Sequence, residues 1–437
     1  MNRLSSLRIA SPIAFHLGRI QAAQLLRGAV FIGAFLLVWI SLEPFGNLAD
    51  ATKIDVAAGR GLTYAAFGLL AMLSLALVAW RHGQALRSFV STPYILFGCW
   101  MCINLLMSRD PGASMLRFSL TASVFVVAAT VLLLPQTARE LNAWLGVAVL
   151  SFLAVCYLGV LLTPGLAIHQ ATDATEHHLA GDWRGVFLHK NSASAVMAML
   201  IFVGAYLTRS GARLVGPLVT ALSAVFLFFA GGKSATGLCI ITLVTVELVV
   251  RARSFRLRAL LCFLPLIVLN LLGIGTVISP SLHAISGLLP FDTSFTGRDD
   301  VWQFAFESVA QRPLFGWGYL AFWGSSFLRD VVPNGADWVV IASHSHNSYL
   351  DSALALGIPG LLLLLAILVF LPLRNFQRAA ERGVEPPLAK MFLRMWLFGL
   401  YLAALESFFL ERTDPIWFTF LVAVIGLHYL SRFRTTS

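Results

Sequence analysis

Charge is what this chain has least of. Its 437 residues include 31 Lys and Arg and 21 Asp and Glu, 12% in all, against 58% hydrophobic residues. So low a charged fraction excludes a soluble globular domain, whose surface would need about twice that share. Cysteine is scarce as well. Cys99, Cys102, Cys156, Cys239 and Cys262 all fall in apolar stretches, which argues against a disulfide framework. The Cys99-x-x-Cys102 spacing suits redox or zinc chemistry, but inside an apolar helix two thiols read as small packing residues. No basic stretch is long enough to form a folded domain of its own, so the formal charge of +10 does not describe a nucleic-acid surface.

What the chain does have is a series of apolar runs, each about long enough to cross the roughly 30 Å hydrocarbon core of a bilayer. Twelve are countable, near 28–43, 62–80, 92–107, 119–135, 143–163, 193–208, 214–230, 236–250, 258–278, 348–372, 392–410 and 415–430. The expected fold is therefore an all-α polytopic membrane protein, one integral domain over 1–437 with about twelve spans. Arg3, Arg8, Arg19 and Arg27 precede the first run, and no small-residue cleavage signal follows it, so it reads as a retained helix.

Lys and Arg near span ends resist translocation and set orientation. With a cytoplasmic N-terminus and twelve alternating spans, the inward segments hold 20 of the 31 Lys and Arg, while 17 of the 21 Asp and Glu lie outward. Both termini are then cytoplasmic, and the basic collar faces anionic membrane lipid. Glu247 lies one turn from Arg251 and reads as a snorkelling ion pair, the alternative being a transport pathway.

That orientation gathers the polar segments 164–192, 231–235, 279–347 and 406–414 on the outer face. The longest, 279–347, exceeds ordinary connections and so is functional or separately folded. Within it, 299–311 has helical spacing, with Thr296 and Gly297 as caps and Asp299 and Asp300 suited to the helix dipole. Trp302 and Phe306 point to a position along the membrane interface. Phe315, Trp317, Tyr319, Phe322 and Trp323 make a second aromatic stretch, either an interfacial belt or a platform for sugar rings.

Three short motifs carry chemistry. Arg184, His189, Lys190 and Asn191, at the entrance of span six, form a donor set suited to an anionic ligand, or they meet lipid phosphates. The turn Gly231-Gly-Lys-Ser-Ala-Thr236 is not a phosphate-binding P-loop, because Leu227 stands where the first Gly is required. Lys233 is nonetheless a point charge in a tight turn at the membrane surface, suited to a diphosphate. His344-Ser-His346-Asn347 precedes span ten, and no third metal ligand is evident nearby. One imidazole there can take a proton from a hydroxyl or hydrogen-bond a phosphate oxygen, with Asn347 orienting it. Gly357-Ile-Pro-Gly360 should then bend the helix early.

At these residues the chain resembles the bacterial O-antigen ligase and repeat-unit polymerase superfamily. The resemblance rests on W-R-G-x-F-x-x-K-N at 183–191, G-G-K-S-A-T at 231–236, G-R-x-x-x-W at 297–302, P-x-x-G-x-G at 313–318, and H-N-x-Y-L with G-I-P-G over 346–360. The combination is most similar to the exopolysaccharide polymerases of the ExoQ type. It implies the helical scaffold of the third glycosyltransferase fold class, with the large periplasmic loop between helices nine and ten. It also implies a metal-independent, cofactor-free reaction on undecaprenyl-diphosphate-linked sugars at the periplasmic face of the inner membrane. By resemblance the family's functional cations map to Lys233 and Arg298 and its functional histidine to His346; catalytic roles are expected for His346 and Arg298, and substrate binding for Lys233, Arg184, Lys190, Asn191, Asn347 and Trp302. The turn often carries Arg in ligases, where this chain has Lys233. The alternatives are a ligase that transfers glycan to lipid A core and a non-enzymatic flippase or transporter. A flippase and a chain-length regulator are the partners such a polymerase would have.

Overall fold

A computed structural model describes residues 12–49, 61–174, 176–288, 298–325, 328, 342–383 and 386–433. All named elements among them are helical. The helices are α1 (Pro12–Ile40), α2 (Gly61–Arg87), α3 (Thr92–Met107), α4 (Pro111–Val131), α5 (Ala138–Leu162), α6 (Lys190–Arg209), α7 (Val215–Phe229), α8 (Lys233–Arg251) and α9 (Phe255–Leu272). After them come α10 (Arg298–Gln311), α11 (Ser348–Glu381), α12 (Pro386–Leu402) and α13 (Pro415–Leu430). Each of the twelve apolar runs overlaps one of these helices; α10 lies outside the runs, and short helices also occur at Pro164–Ala167, Gly275–Ile278 and Pro280–Ser286. Eight of these helices are long and apolar enough to cross a membrane: α1, α2, α4, α5, α6, α8, α9 and α11. α3, α7 and α13 are shorter apolar helices, and α12 has 17 residues with Lys390 and Arg394 in its first half. The runs at 193–208 and 236–250 extend to full helices of 20 and 19 residues, since capping residues outside the apolar core add a turn.

The helix starts are written locally. Asp110 accepts from Ala113 N at 3.0 Å ahead of Pro111, and Asp414 accepts from Trp417 N at 2.7 Å ahead of Pro415. Thr137 accepts from Glu140 N while Glu140 reaches back to Gln136 N, close to a capping box. Helix contacts depend on glycine. A methyl group at Gly204 would lie 2.9 Å from the Gly216 carbonyl oxygen, and one at Gly216 would lie 2.3 Å from Thr208 N, so α6 and α7 meet backbone to backbone. α12 and α13 exchange knobs: Phe420 fills the space over Gly399, and Phe392 fills that over Gly426. Both helices are buried almost throughout, and they form the centre of the bundle.

The alternating helices give the bundle two unlike ends. At one, Glu247 holds Lys390, Arg394 at 3.0 Å and Arg251 at 3.4 Å, and Arg382 donates to Ser431 O at 2.7 Å. The expected pair with Arg251 is therefore part of a larger basic cluster. At the other end lie the connections before α4, α6, α8, α11 and α13. Contacts such as Arg109 N to Trp317 O (3.1 Å) and Trp183 N to Phe229 O (3.0 Å) tie them together.

Candidate active site

The geometry of the polar end starts from two glycine motifs that interlock. α11 leaves helical geometry at Gly357, with φ 70° and ψ 176°, a backbone region open essentially to glycine alone. The break frees carbonyls that the 313–318 segment uses: Trp317 N donates to Leu354 O at 2.8 Å and Gly318 N to Ala355 O at 3.2 Å. In return Ile358 N donates to Pro313 O at 2.8 Å. From α3, Asn104 Nδ2 donates to both Phe315 O (2.8 Å) and Ala355 O (2.9 Å), and Trp100 Nε1 donates to Leu356 O at 3.0 Å. The glycine-proline bend is thus a docking joint that fixes the first turns of α11 against the loop.

Those turns carry the histidine segment, which is clamped from several directions. Asn347 caps α11, accepting from Tyr349 N and Leu350 N at 3.1 and 3.0 Å, and its amide donates to Ala404 O at 3.0 Å. Trp302 Nε1 donates to Ser345 O at 2.8 Å. Asp351 accepts from Ser345 N, from Trp323 Nε1 at 2.8 Å and from Ser407 Oγ. The clamp holds His346 at φ 55°, a left-handed conformation uncommon for any side-chain-bearing residue. His346 N in turn donates to His344 Nδ1 at 3.3 Å, and the two rings meet edge to face at 4.2 Å. Desolvation first, and the neighbouring His346 second, push the His344 pKa down to about 3, so the ring is neutral, and the bond from His346 N makes Nδ1 its acceptor.

Three of the candidate side chains then converge on one carboxylate. Glu406, in the α12–α13 connection, receives Asn191 Nδ2 at 2.9 Å and Arg298 Nη2 at 3.6 Å on Oε1, and His346 Nδ1 at 3.3 Å on Oε2. Arg298 is steadied further by Leu405 O at 2.6 Å. Burial alone would raise the Glu406 pKa, but the hydrogen bond from His346 and the charge of Arg298 more than offset it, and the group lies below its ordinary value. A carboxylate can only accept, so His346 Nδ1 carries a proton in this contact.

The start of α6 extends the site. His189 caps the helix, accepting from Asn191 N at 3.0 Å through Nδ1, while its Nε2 pairs with Glu176 at 2.9 Å. Lys190 pairs with Asp182 at 2.5 Å. Gly231, at φ 63°, packs so close to Asp182 that a methyl group there would lie 2.8 Å from its Oδ1. The turn that carries Lys233 therefore sits beside the Asp182–Lys190 pair. Lys233 itself is exposed and forms no ion pair with any described residue.

The structure thus brings together His346, Arg298, Asn191 and Asn347, with Lys190 and the Lys233 turn alongside. Three of the expected binding residues are fully buried, and Asn347 is one of them, its oxygen spent on the α11 cap and its amide on Ala404 O. Arg184 is 0% exposed and donates to Phe187 O and Gly46 O, both at 2.9 Å, so its guanidinium braces the 163–189 connection rather than facing a ligand. Trp302 is likewise 0% exposed and serves as a tie to Ser345, with no face left for a sugar. The aromatic stretch is neither belt nor platform as a whole. Trp317 and Phe322 join Trp302, Leu350 and Leu354 in a small core of their own, and Tyr319 is buried against α4, with its hydroxyl donating to Leu410 O at 2.6 Å. The loop is rich in aromatics because it must supply apolar volume away from the main bundle. Thr296 and Gly297 lie outside the described residues.

Glu406 and Asp182 were not singled out from the sequence. Their signal was weak: one acid lies inside the stretch counted as the apolar run 392–410, and one lies in a connection that holds several other acids and histidines.

Residues 196–365 match the family model described as O-antigen ligase. The chain is also similar to the exopolysaccharide production protein ExoQ of Rhizobium meliloti (strain 1021), with 26% identity over 124 residues, 28% of this chain and 28% of the relative. The matched family segment holds Lys233, Arg298, Trp302, His346 and Asn347, while Lys190, Asn191 and Glu406 lie beyond it. Over residues 196–365, then, the chain is similar to the O-antigen ligase family, and the ExoQ match covers little more than a quarter of either protein.

Proposed function

We propose that this protein joins oligosaccharide repeat units carried on undecaprenyl diphosphate, at the periplasmic face of a bacterial inner membrane, with both termini in the cytoplasm. The observation that carries the reading is the meeting of His346, Arg298 and Asn191 on Glu406, at the end of the bundle away from the Glu247–Lys390–Arg394 cluster. That basic cluster suits the cytoplasmic leaflet.

Outside that membrane neither ATP nor nucleotide-sugar is at hand, so the activated sugar arrives already bonded to its lipid diphosphate. In the proposed step an acceptor hydroxyl oxygen forms the new bond to the anomeric carbon. The bond from that carbon to the diphosphate oxygen breaks, and the leaving group departs with its electron pair. The hydroxyl proton passes to His346 Nε2. Arg298, held by Leu405 O, and Lys233, with no ion pair of its own among the described residues, take up the charge on the leaving diphosphate. These cations do the work a metal ion would otherwise do. Lys190 and Asn191, at the start of α6, complete the donor side. A flippase would deliver the lipid-linked unit, and a chain-length regulator would end growth.

A second reading is a ligase that passes the same donor glycan to lipid A core. The description of the matched family as O-antigen ligase favours it as the runner-up. Purified full-length protein incubated with one polyprenyl-diphosphate-linked oligosaccharide separates the two. A ladder of products is the expected result. Product only after addition of lipid A core assigns the ligase reading, and no glycosidic product with either acceptor contradicts both.

A further inference from the structure

Among the described residues, Glu406 is the one carboxylate that touches side chains from α6, α10 and the histidine segment at once, and no motif of the chain marks it. We propose that Glu406 is a positioning residue, fixing His346 as the Nδ1–H tautomer so that Nε2 faces the acceptor hydroxyl, and holding Arg298 and Asn191 in register with it. This rests on the transfer reading above and deepens it.

Four observations support the assignment. Glu406 divides its two oxygens, Oε1 serving Asn191 and Arg298 and Oε2 serving His346, so each partner's place depends on the same group. The backbone that carries Glu406 is held from behind: Ser348 Oγ donates to its main-chain carbonyl at 2.8 Å, and the same hydroxyl accepts from Phe408 N at 2.9 Å. Its side chain is 17% exposed, so it orients the imidazole in a partly desolvated setting where one hydrogen bond counts for more than in water. Finally, His346 is held at φ 55° with its Nδ1 3.3 Å from Glu406 Oε2, so its ring is fixed from both the backbone and the carboxylate side.

The role has consequences that mere packing would not. Glu406→Gln keeps the shape but removes the obligatory acceptor, so the imidazole can settle in the other tautomer. The turnover number should fall about 100-fold or more, with the donor KM changed less than about threefold. Loss of a negative charge 3.3 Å from the ring disfavours imidazolium. The acid limb of the pH–rate profile should therefore move to lower pH. Glu406→Asp, which keeps the charge on a shorter stem, should recover part of the rate and return the acid limb toward wild type.

A second arm does not depend on turnover. Solid-state 15N spectra of histidine-labelled protein in lipid, with the His346 signals identified by their loss in His346→Asn, should show protonated Nδ1 and bare Nε2 in the wild type, and a mixed or reversed pair in Glu406→Gln. Identical His346 spectra in the two proteins, or an unmoved acid limb with an unchanged turnover number, would overturn the assignment. If wild-type protein forms no glycosidic bond, the transfer reading fails separately, and the spectra still decide the role of Glu406.

Discussion

Replacing Arg298 with alanine should cut glycan transfer by about a thousandfold, near the upper end of what loss of one preorganised charge donor costs at a developing anion. The side chain stands at the first position of α10, where the helix dipole adds to its charge, and it is aimed by Leu405 O and Glu406 rather than left to solvent. The donor arrives as a diphosphate and leaves as one, but the leaving group carries more charge, so the lost interaction should appear mainly in the turnover number. Arg298→Lys should recover little. An ammonium cannot contact Leu405 O, Glu406 and a phosphate oxygen in the planar fork that guanidinium offers. His346→Ala should cost about 10²- to 10⁴-fold, the usual range for a general base. Initial rates of lipid-diphosphate release, measured beside protein level and melting temperature, check both. Wild-type rates in either variant would remove that residue from the chemistry.

The largest stability effect should come from Gly357→Ala. At φ 70° and ψ 176° any side chain is strained by about 1–3 kcal/mol. The added methyl would also lie 2.0 Å from Leu314 O and 2.9 Å from Phe315 N. These are backbone atoms, so no rotamer change relieves the overlap, and crowding of this kind adds about 1–3 kcal/mol more. Together the loss approaches about 4 kcal/mol, enough to undo the docking of the 313–318 segment and with it the placement of His346. Gly68→Ala is the matched control, since nothing lies within 4 Å of a methyl group there and alanine favours the helix. Melting of the two purified variants should separate clearly, with Gly68→Ala at or above wild type. Equal melting temperatures would show that the bend at Gly357 does not hold the loop.

How much was legible in the sequence follows from where each signal lies. The apolar runs gave the helices because hydrophobic length is a local property, and the charge asymmetry gave two unlike ends for the same reason. Asp299 and Asp300 at the start of an amphipathic stretch were enough to foresee a helix there, and Arg298–Gln311 is helical. The proximity of Arg298 and His346 was foreseeable from motif order. Their meeting point was not, because Glu406 follows them by sixty positions and more and carries no pattern of its own. Arg184 shows the opposite failure. Its neighbours His189, Lys190 and Asn191 do reach the polar end, so a cationic motif read as one unit included a guanidinium that the fold spends on Phe187 O and Gly46 O. Spacing alone cannot tell an arginine that braces a loop from one that awaits a ligand. The aromatic stretch misled for a related reason. Trp317 and Phe322 pack into the loop's own core, and composition does not reveal whether a loop has enough apolar volume to fold on itself.

The most direct measurement is a structure of the full-length protein in lipid with a non-hydrolysable polyprenyl-diphosphate oligosaccharide bound. The diphosphate should contact both Arg298 and Lys233, with the anomeric carbon on the side of His346 Nε2. A diphosphate seated away from Arg298, or at the Glu247–Lys390–Arg394 end of the bundle, would contradict it.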